Sequence, residues 1–211
     1  MRKLREAYKN AIYHVYNQGI NRENILIDVE DNEYFVWLLF EVSKKFPLHI
    51  FCFTTMLNHY HCLLQTLEPD ISKVMWHVGY HLTRFINRKY RRIGPLCRNR
   101  FQGQLVLRHE YFRNVVSYIH NNPLEAGIIT DIYESHPRII TSFHDLAGIT
   151  AKYPWLAKRE LFKILMVDPD SENLEGVLWK PIDQEAFHDF TVIETHYQKI
   201  KSRTVVKRIC K

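Results

Sequence analysis

Residues 11–20, AIYHVYNQGI, alternate apolar and polar side chains with a period of two, which predicts a strand with one buried face. NRENILID reads as a loop or irregular edge. From Glu33 to Lys45 the period changes to that of a helix: Phe35, Leu38, Leu39 and Val42 share one face, Asp31 or Asn32 is available as a cap, and Pro47 closes the segment. LHIFCFTTM and HYHCLLQT then predict two adjacent antiparallel strands joined by a tight turn at Leu57 and Asn58. A second helix runs from Ile71, capped by Asp70, to about Tyr90, with Val74, Val78, Leu82 and Phe85 on its buried stripe, and Gly94 and Pro95 break it. FQGQLVLR is a fourth strand. EYFRNVVSYIHNN is a third helix with Phe112, Val115, Val116 and Ile119 inward, and Pro123 predicts its end at Asn122 because it disfavours a helical predecessor. The order β-α-β-β-α-β-α predicts an α+β, ferredoxin-like core: an antiparallel sheet with helices on one face. Beyond residue 140, one or two short helices are expected, with Asp145 or Thr150 as caps, followed by a helical stretch over roughly residues 183–200. The chain therefore divides into a core domain, residues 1–145, and a mainly helical C-terminal extension, residues 146–211.

Composition narrows the class. With 46% apolar residues, 13% aromatic, and only 7 Gly and 8 Pro in 211, the chain is neither collagen-like nor disordered. No apolar run approaches a membrane span, and MRKLREAYKN has no apolar stretch after its basic residues, so a cytoplasmic protein without a membrane partner is expected. Cys52, Cys62, Cys97 and Cys210 contain no C-x-x-C pair, which leaves reduced thiols as the expectation. The net charge of +6 is unevenly spread. Residues 1–70 sum to −2 and residues 114–211 to −1, while residues 71–113 carry +9. From Ile71 to His109 there is no carboxylate, yet Lys73, Arg84, Arg88, Lys89, Arg91, Arg92, Arg98, Arg100 and Arg108 are present, with Phe85, Tyr90 and Phe101 among them. Such a run implies a polyanionic partner, nucleic acid above all. The end of the chain, Lys199 to Lys211, is also basic, with no acidic residue.

Two local patterns carry candidate chemistry. In His59-Tyr60-His61 on a strand, the two histidines project to one face with Cα atoms roughly 6.5–7 Å apart, a spacing that lets two imidazoles converge on a metal ion. In the third helix, Tyr118 lies at the edge of the buried stripe with Asn122 one turn later on the same face. A phenol of ordinary pKa, about 10, is a poor nucleophile without help from a cation or base. His77 and His81, at i and i+4, form a weaker zinc-capable pair.

The segments MLNHYHCLLQ, NRKYRRIGPLCRNRFQGQLV and YFRNVVSYIHNNPLEAGI, in that order, together with YHVYNQGINRENILIDVEDNEYF, resemble the single-tyrosine HUH transposases, and most closely the REP-associated tyrosine transposase group, over about residues 11–145. Leu57 stands where a proline is common in that group, and Asn99 where a glycine is. The resemblance implies that His59, His61 and Asn122 hold a divalent cation, Mg²⁺ or Mn²⁺, and that Tyr118 is the nucleophile. It implies a strand transferase acting through a 5′-phosphotyrosine on single-stranded DNA folded into a short hairpin, such as a repetitive extragenic palindrome. Arg84, Arg88, Lys89, Arg91, Arg92, Arg98, Arg100 and Arg108 are the candidate DNA contacts, and whether one chain or a homodimer builds the site stays open. The alternatives are a non-catalytic hairpin DNA- or RNA-binding descendant and a zinc phosphoesterase. The latter would need Asp or Glu ligands that the strand does not offer.

Overall fold

The alternating segment becomes β1 (Ala11–Gln18), which pairs on one side with β3 (His59–Thr66) and on the other with β4 (Gln102–Leu105). The computed structural model describes residues 7–168 and 174–179. The helix expected over residues 183–200, the basic tail and Cys210 lie outside them. With β2 (Leu48–Thr55) against β3, the sheet runs β2-β3-β1-β4, every neighbour antiparallel. This is the split β-α-β order expected from the sequence. Helices α1 (Val29–Lys45), α2 (Ile71–Lys89) and α3 (His109–Glu125) alternate with the strands as predicted.

The two faces of β3 show where each helix lies. Tyr60 packs its ring 4.4 Å from Phe35 of α1, so the even-numbered side chains face α1, and α2 packs beside α1. The odd-numbered side chains point the other way: His59 meets Asn122 and His61 meets Tyr118, both on α3. The expectation of helices on one face therefore holds for α1 and α2 only. Helix α3 covers the opposite face with its buried stripe of Phe112, Val115, Val116 and Ile119, and Phe112 meets Phe51 of β2 edge-on at 5.5 Å. A third helix that follows the last strand is free to cross to the second face, a choice the helical period does not encode.

Three helix ends differ from expectation. Helix α1 begins at Val29 because Asp28, not Asp31 or Asn32, is the cap. Its carboxylate accepts from Asp31 N–H at 3.0 Å, while Asp31 accepts in return from Asp28 N–H at 3.1 Å, a reciprocal box closed by two aspartates. Asp70 stands at the start of α2 but caps nothing; it pairs with Lys73 at 2.7 Å. On the buried stripe of α2, Ile86 takes the place expected for Phe85, which stacks at 4.0 Å on Tyr34. Helix α3 continues through Pro123 to Glu125. A proline two residues from the end costs one backbone bond, and the last turn is held by Ala126 N–H to Asn122 O and Ile128 N–H to Pro123 O.

The segment after α3 returns along the outer edge of β2. Thr55 N–H donates to Ile140 O (2.8 Å), Ser142 N–H to Phe53 O (3.0 Å) and Ala157 N–H to Ile50 O (2.9 Å), covering an edge that would otherwise expose unpaired backbone groups. Helices α4 (Phe143–Leu146), α5 (Lys158–Leu165) and α6 (Leu174–Leu178) follow. Asp145 caps none of them. Its buried carboxylate instead accepts from Thr150 Oγ1 and from the Lys152 and Tyr153 N–H groups at 2.6–2.8 Å, organising the connection to α5.

His120, on the inner face of α3, joins these parts: Nδ1 donates to Leu178 O at 3.2 Å and Nε2 meets Ser142 Oγ at 3.1 Å. Burial lowers its pKa to about 4. The unfolded chain takes up this proton near pH 6.5, whereas the folded chain does so only near 4. Stability contributed by the neutral ring is therefore complete above pH 6.5 and lost as pH falls from 6.5 to 4, by about 3 kcal/mol at the lower end. Denaturant titrations at pH 7 and pH 4.5 should show this loss, and a His120→Gln variant should lose less stability between the same two pH values.

Candidate active site

The turn between β2 and β3 carries the first histidine, and it is clamped from outside. Gly19 N–H donates to Asn58 O at 2.8 Å, and Ile25 and Leu26 N–H both donate to Leu57 O at 2.8 and 3.0 Å. Gly19 has to be glycine, because a Cβ there would collide with the Glu23 carbonyl and the Ile25 side chain. Asn58 Nδ2 donates to Arg22 O at 3.2 Å, which turns Asn58 Oδ1 toward His59 Nδ1 at 2.6 Å. An amide oxygen accepts only, so His59 carries its proton on Nδ1 and presents the Nε2 lone pair.

That lone pair faces a second acceptor. Asn122 Nδ2 donates to Tyr118 O at 3.1 Å, which fixes the amide orientation and aims Asn122 Oδ1 at His59 Nε2, 3.3 Å away. Burial lowers the His59 pKa, although the Asn122 oxygen opposes this by favouring the charged ring. In the neutral ring two lone pairs confront each other. A cation relieves that conflict: bonds of about 2.1–2.3 Å at right angles put neighbouring oxygen and nitrogen ligands about 3.0–3.3 Å apart. The donor set therefore fits a hard divalent ion.

His61 is buried, and its Nδ1 lies 2.9 Å from Nε2 of His14 on β1. Burial, followed by the neighbouring His14 and His59 rings, pushes the His61 pKa well down, and burial lowers that of His14 to about 4. Both rings are neutral near pH 7. With Nδ1 engaged by His14, Nε2 is the nitrogen His61 has left for a ligand. Tyr16 stacks on His61 at 5.6 Å and lies tilted to His14 at 5.4 Å, and His14 stacks on His61 at 5.1 Å, so the His61 ring has two aromatic neighbours. Sequence reasoning missed His14, Tyr16 and Asn58. His14 and Tyr16 sit at i and i+2 on β1, and register puts Tyr16 directly opposite His61. That signal lies in the pairing of β1 with β3, which the ferredoxin-like expectation leaves unstated at the level of residues.

Tyr118 completes the cluster. Its ring lies edge-on to His61 at 5.2 Å and to His14 at 5.7 Å. Burial raises its pKa, the Asn122 amide works the other way, and Glu125 adds to the rise. The phenol is thus protonated near neutral pH. Among the described residues no three His, Cys, Asp or Glu side chains group to hold an ion, so the donors at hand are two imidazoles and one amide. His77 and His81 do meet, at 4.3 Å between rings, without a third ligand of those types.

No family model matches the chain, and no curated protein matches it. Among solved structures, the chain is similar to a REP-associated tyrosine transposase bound to a REP hairpin, with a TM-score of 0.58 at 17% identity, covering 70% of this chain and 86% of that one. The two chains share a fold.

On this shared fold the basic segment separates into two groups. Lys89 is held by Asp28, Glu30 and Asp31 at 2.7–2.9 Å, with the Tyr90 hydroxyl donating to Asp28 and Asp31. Burial works against its charge, but those hydrogen bonds outweigh it and hold the ammonium pKa up; the Lys89 bond in turn holds Asp28 down at about 2. Lys89 thus ties the end of α2 to the start of α1. Arg92 pairs with Glu23 at 3.1 Å, and Arg84 donates to the Tyr80 hydroxyl at 3.2 Å. Arg88, Arg91, Arg98, Arg100 and Arg108 are exposed, and no ion pair among the described residues engages them. No helix among the described residues is long and apolar enough to cross a membrane. Cys52, Cys62 and Cys97 are free thiols.

Proposed function

We propose that this chain is a transposase of the REP-associated tyrosine group, a metal-dependent enzyme that cuts and rejoins single-stranded hairpin DNA through Tyr118. The observation that carries the reading is the confrontation of His59 Nε2, at the start of β3, and Asn122 Oδ1, one turn along α3 from Tyr118. The shared fold with a hairpin-bound transposase supports it.

In this reading His59, His61 and Asn122 hold Mg²⁺ or Mn²⁺, which withdraws charge from the scissile phosphate when bound. The protein supplies the remainder. Two neutral imidazoles accept the ion without first losing protons. Asn122 spans both functions, since its oxygen faces His59 while its amide is anchored to the Tyr118 carbonyl. Tyr118 Oη attacks phosphorus, the phenolic proton is lost, the P–O3′ bond breaks, and a free 3′-hydroxyl departs while the 5′-phosphate stays on the tyrosine. The covalent ester conserves the energy of the diester, so a 3′-hydroxyl of another strand reverses the step without ATP.

His14 is a positioning residue here. It contacts neither ion nor substrate and acts by orienting His61. A His14→Ala variant is expected to bind Mn²⁺ about 10- to 100-fold more weakly, the usual cost of losing an outer partner of a metal-bound histidine, measurable by titration without DNA.

The experiment for the function as a whole mixes the full chain with labelled hairpin oligonucleotides and Mn²⁺ and looks for a denaturant-resistant protein–DNA species that a chelator prevents. Its absence with every hairpin contradicts the reading. If the five free arginines each neutralise one phosphate, binding to the single-stranded portion weakens with salt at a log–log slope of about −3.5, from about 0.7 per phosphate. A slope near zero would remove the basic segment from recognition.

A further inference from the structure

The outer face of α2 carries an aromatic ladder that the cutting chemistry does not use. Trp76 and Tyr80, at i and i+4, are 64% and 42% exposed, and their rings lie nearly parallel, 5.0 Å apart with 11° between planes. One turn further, the Arg84 guanidinium stands 5.5 Å from the Tyr80 ring centre and donates to its hydroxyl. Two flat rings and a planar cation thus follow one another along a single helix face. Gly79, beside the ladder, lines the same groove and has nothing within 4 Å of where a Cβ would stand.

These side chains form one wall of an open groove of about 1260 Å³, and the strap of residues 95–101 forms the other. Arg98 and Arg100 stand on that strap, and among the described residues no Asp or Glu lines the groove. Lys73 lies at one end with its charge met by Asp70. With Tyr80 stacked between Trp76 and the Arg84 guanidinium, the side of the exposed Trp76 ring away from Tyr80 is the face that can take a further flat ring, and the free guanidiniums opposite suit phosphates. A protein segment would match the rings but not the uncompensated positive strap, and duplex DNA keeps its base faces stacked inside. Unpaired nucleotides satisfy both walls, with a base extending the stack on Trp76 and backbone along the arginines.

The groove reaches the edge of the sheet beside β4. Phe101 is its last lining residue, and the next residue, Gln102, lies opposite Tyr16, whose ring stacks on His61. The groove lies on the α2 side of the sheet, so a strand leaving it would round the β4 edge to reach the histidine face.

We propose that Trp76, Tyr80 and Arg84 form a base-stacking platform for the unpaired nucleotides that flank a DNA hairpin. The inference rests on the DNA reading above and adds a subsite to it. The test uses the full chain carrying Tyr118→Phe, so that no DNA is cut, and compares a blunt hairpin with the same hairpin bearing an unpaired thymidine flank. Oligothymidylate without a hairpin is titrated in parallel while tryptophan fluorescence is followed. The flank is expected to strengthen binding about ten-fold or more, and Trp76→Ala with Tyr80→Ala to remove that gain while blunt-hairpin affinity stays within about two-fold. Trp76→Phe keeps most of it. Oligothymidylate should quench fluorescence in the parent and less in Trp76→Phe.

Equal affinity for blunt and flanked hairpins in the parent overturns the platform, as does an equal loss on both in the double variant. The two readings fail separately. A chain that forms the covalent species but ignores the flank loses only the platform. One that binds thymidylate through Trp76 yet never forms that species loses only the catalytic reading, and one that binds no DNA loses both.

Discussion

Replacing Tyr118 with phenylalanine is expected to abolish the covalent protein–DNA species, by at least about 1000-fold, while hairpin affinity stays within about two-fold. The change removes the hydroxyl and, with it, the hydrogen bond that the Asn122 amide makes to that hydroxyl. The ring keeps its edge-on contacts with His61 and His14, and Asn122 stays anchored to the backbone carbonyl of residue 118, which every side chain supplies. The metal donors should therefore keep their places, and Mn²⁺ binding without DNA should be unchanged. A Tyr118→Phe protein that still forms the species would assign the nucleophile elsewhere. One that also lost Mn²⁺ would show that the hydroxyl belongs to the ion site rather than to the attack.

Replacing His59 with alanine is expected to lower adduct formation about 100-fold or more and to abolish measurable Mn²⁺ binding at micromolar ion. His59 is half-buried on a turn held by backbone bonds from residues 19, 25 and 26, so the fold does not depend on its ring. Asn122→Asp should act in the opposite sense on the ion. A carboxylate in place of the amide oxygen meets the His59 lone pair with more negative charge, so Mn²⁺ binds more tightly, although the donor to the Tyr118 carbonyl is lost. If Asn122→Asp weakened the ion while His59→Ala left it untouched, the facing lone pairs would be a hydrogen bond to a protonated ring and not a cation site.

The parts of the site that were legible in the sequence are those set by local periods. His59 and His61 share a face because a strand repeats every two residues, and Tyr118 and Asn122 because a helix turns every 3.6. What local periods do not carry is what lies across the sheet. His14 reaches His61 through a pairing between residues almost fifty positions apart, and Asn58 is oriented by the Arg22 carbonyl, thirty-six residues away. Lys89 looked like one more cation in a run without carboxylates, yet its three partners lie about sixty residues earlier, at the start of α1. The fold was legible in its order of elements, and the sheet order followed from that. The face taken by α3 did not, because its apolar stripe fits either side of a sheet whose central strand is buried on both. The end of α3 escaped for a different reason: a local rule about proline gave way to packing, since Asn122 and Pro123 are both buried and the turn has bonds beyond them.

The central claim is that Tyr118 takes the 5′-phosphate of a cut strand. Two versions of one hairpin substrate test it, with the label placed on the 3′ side of the cut in one and on the 5′ side in the other, each incubated with the full chain and Mn²⁺ before denaturing electrophoresis and peptide mapping. The prediction is that label from the 3′ side remains on the protein, on the peptide containing Tyr118, while label from the 5′ side is released as a fragment ending in a 3′-hydroxyl. Label retained from the 5′ side, label on a peptide lacking Tyr118, or release of both fragments with no retained label would contradict it.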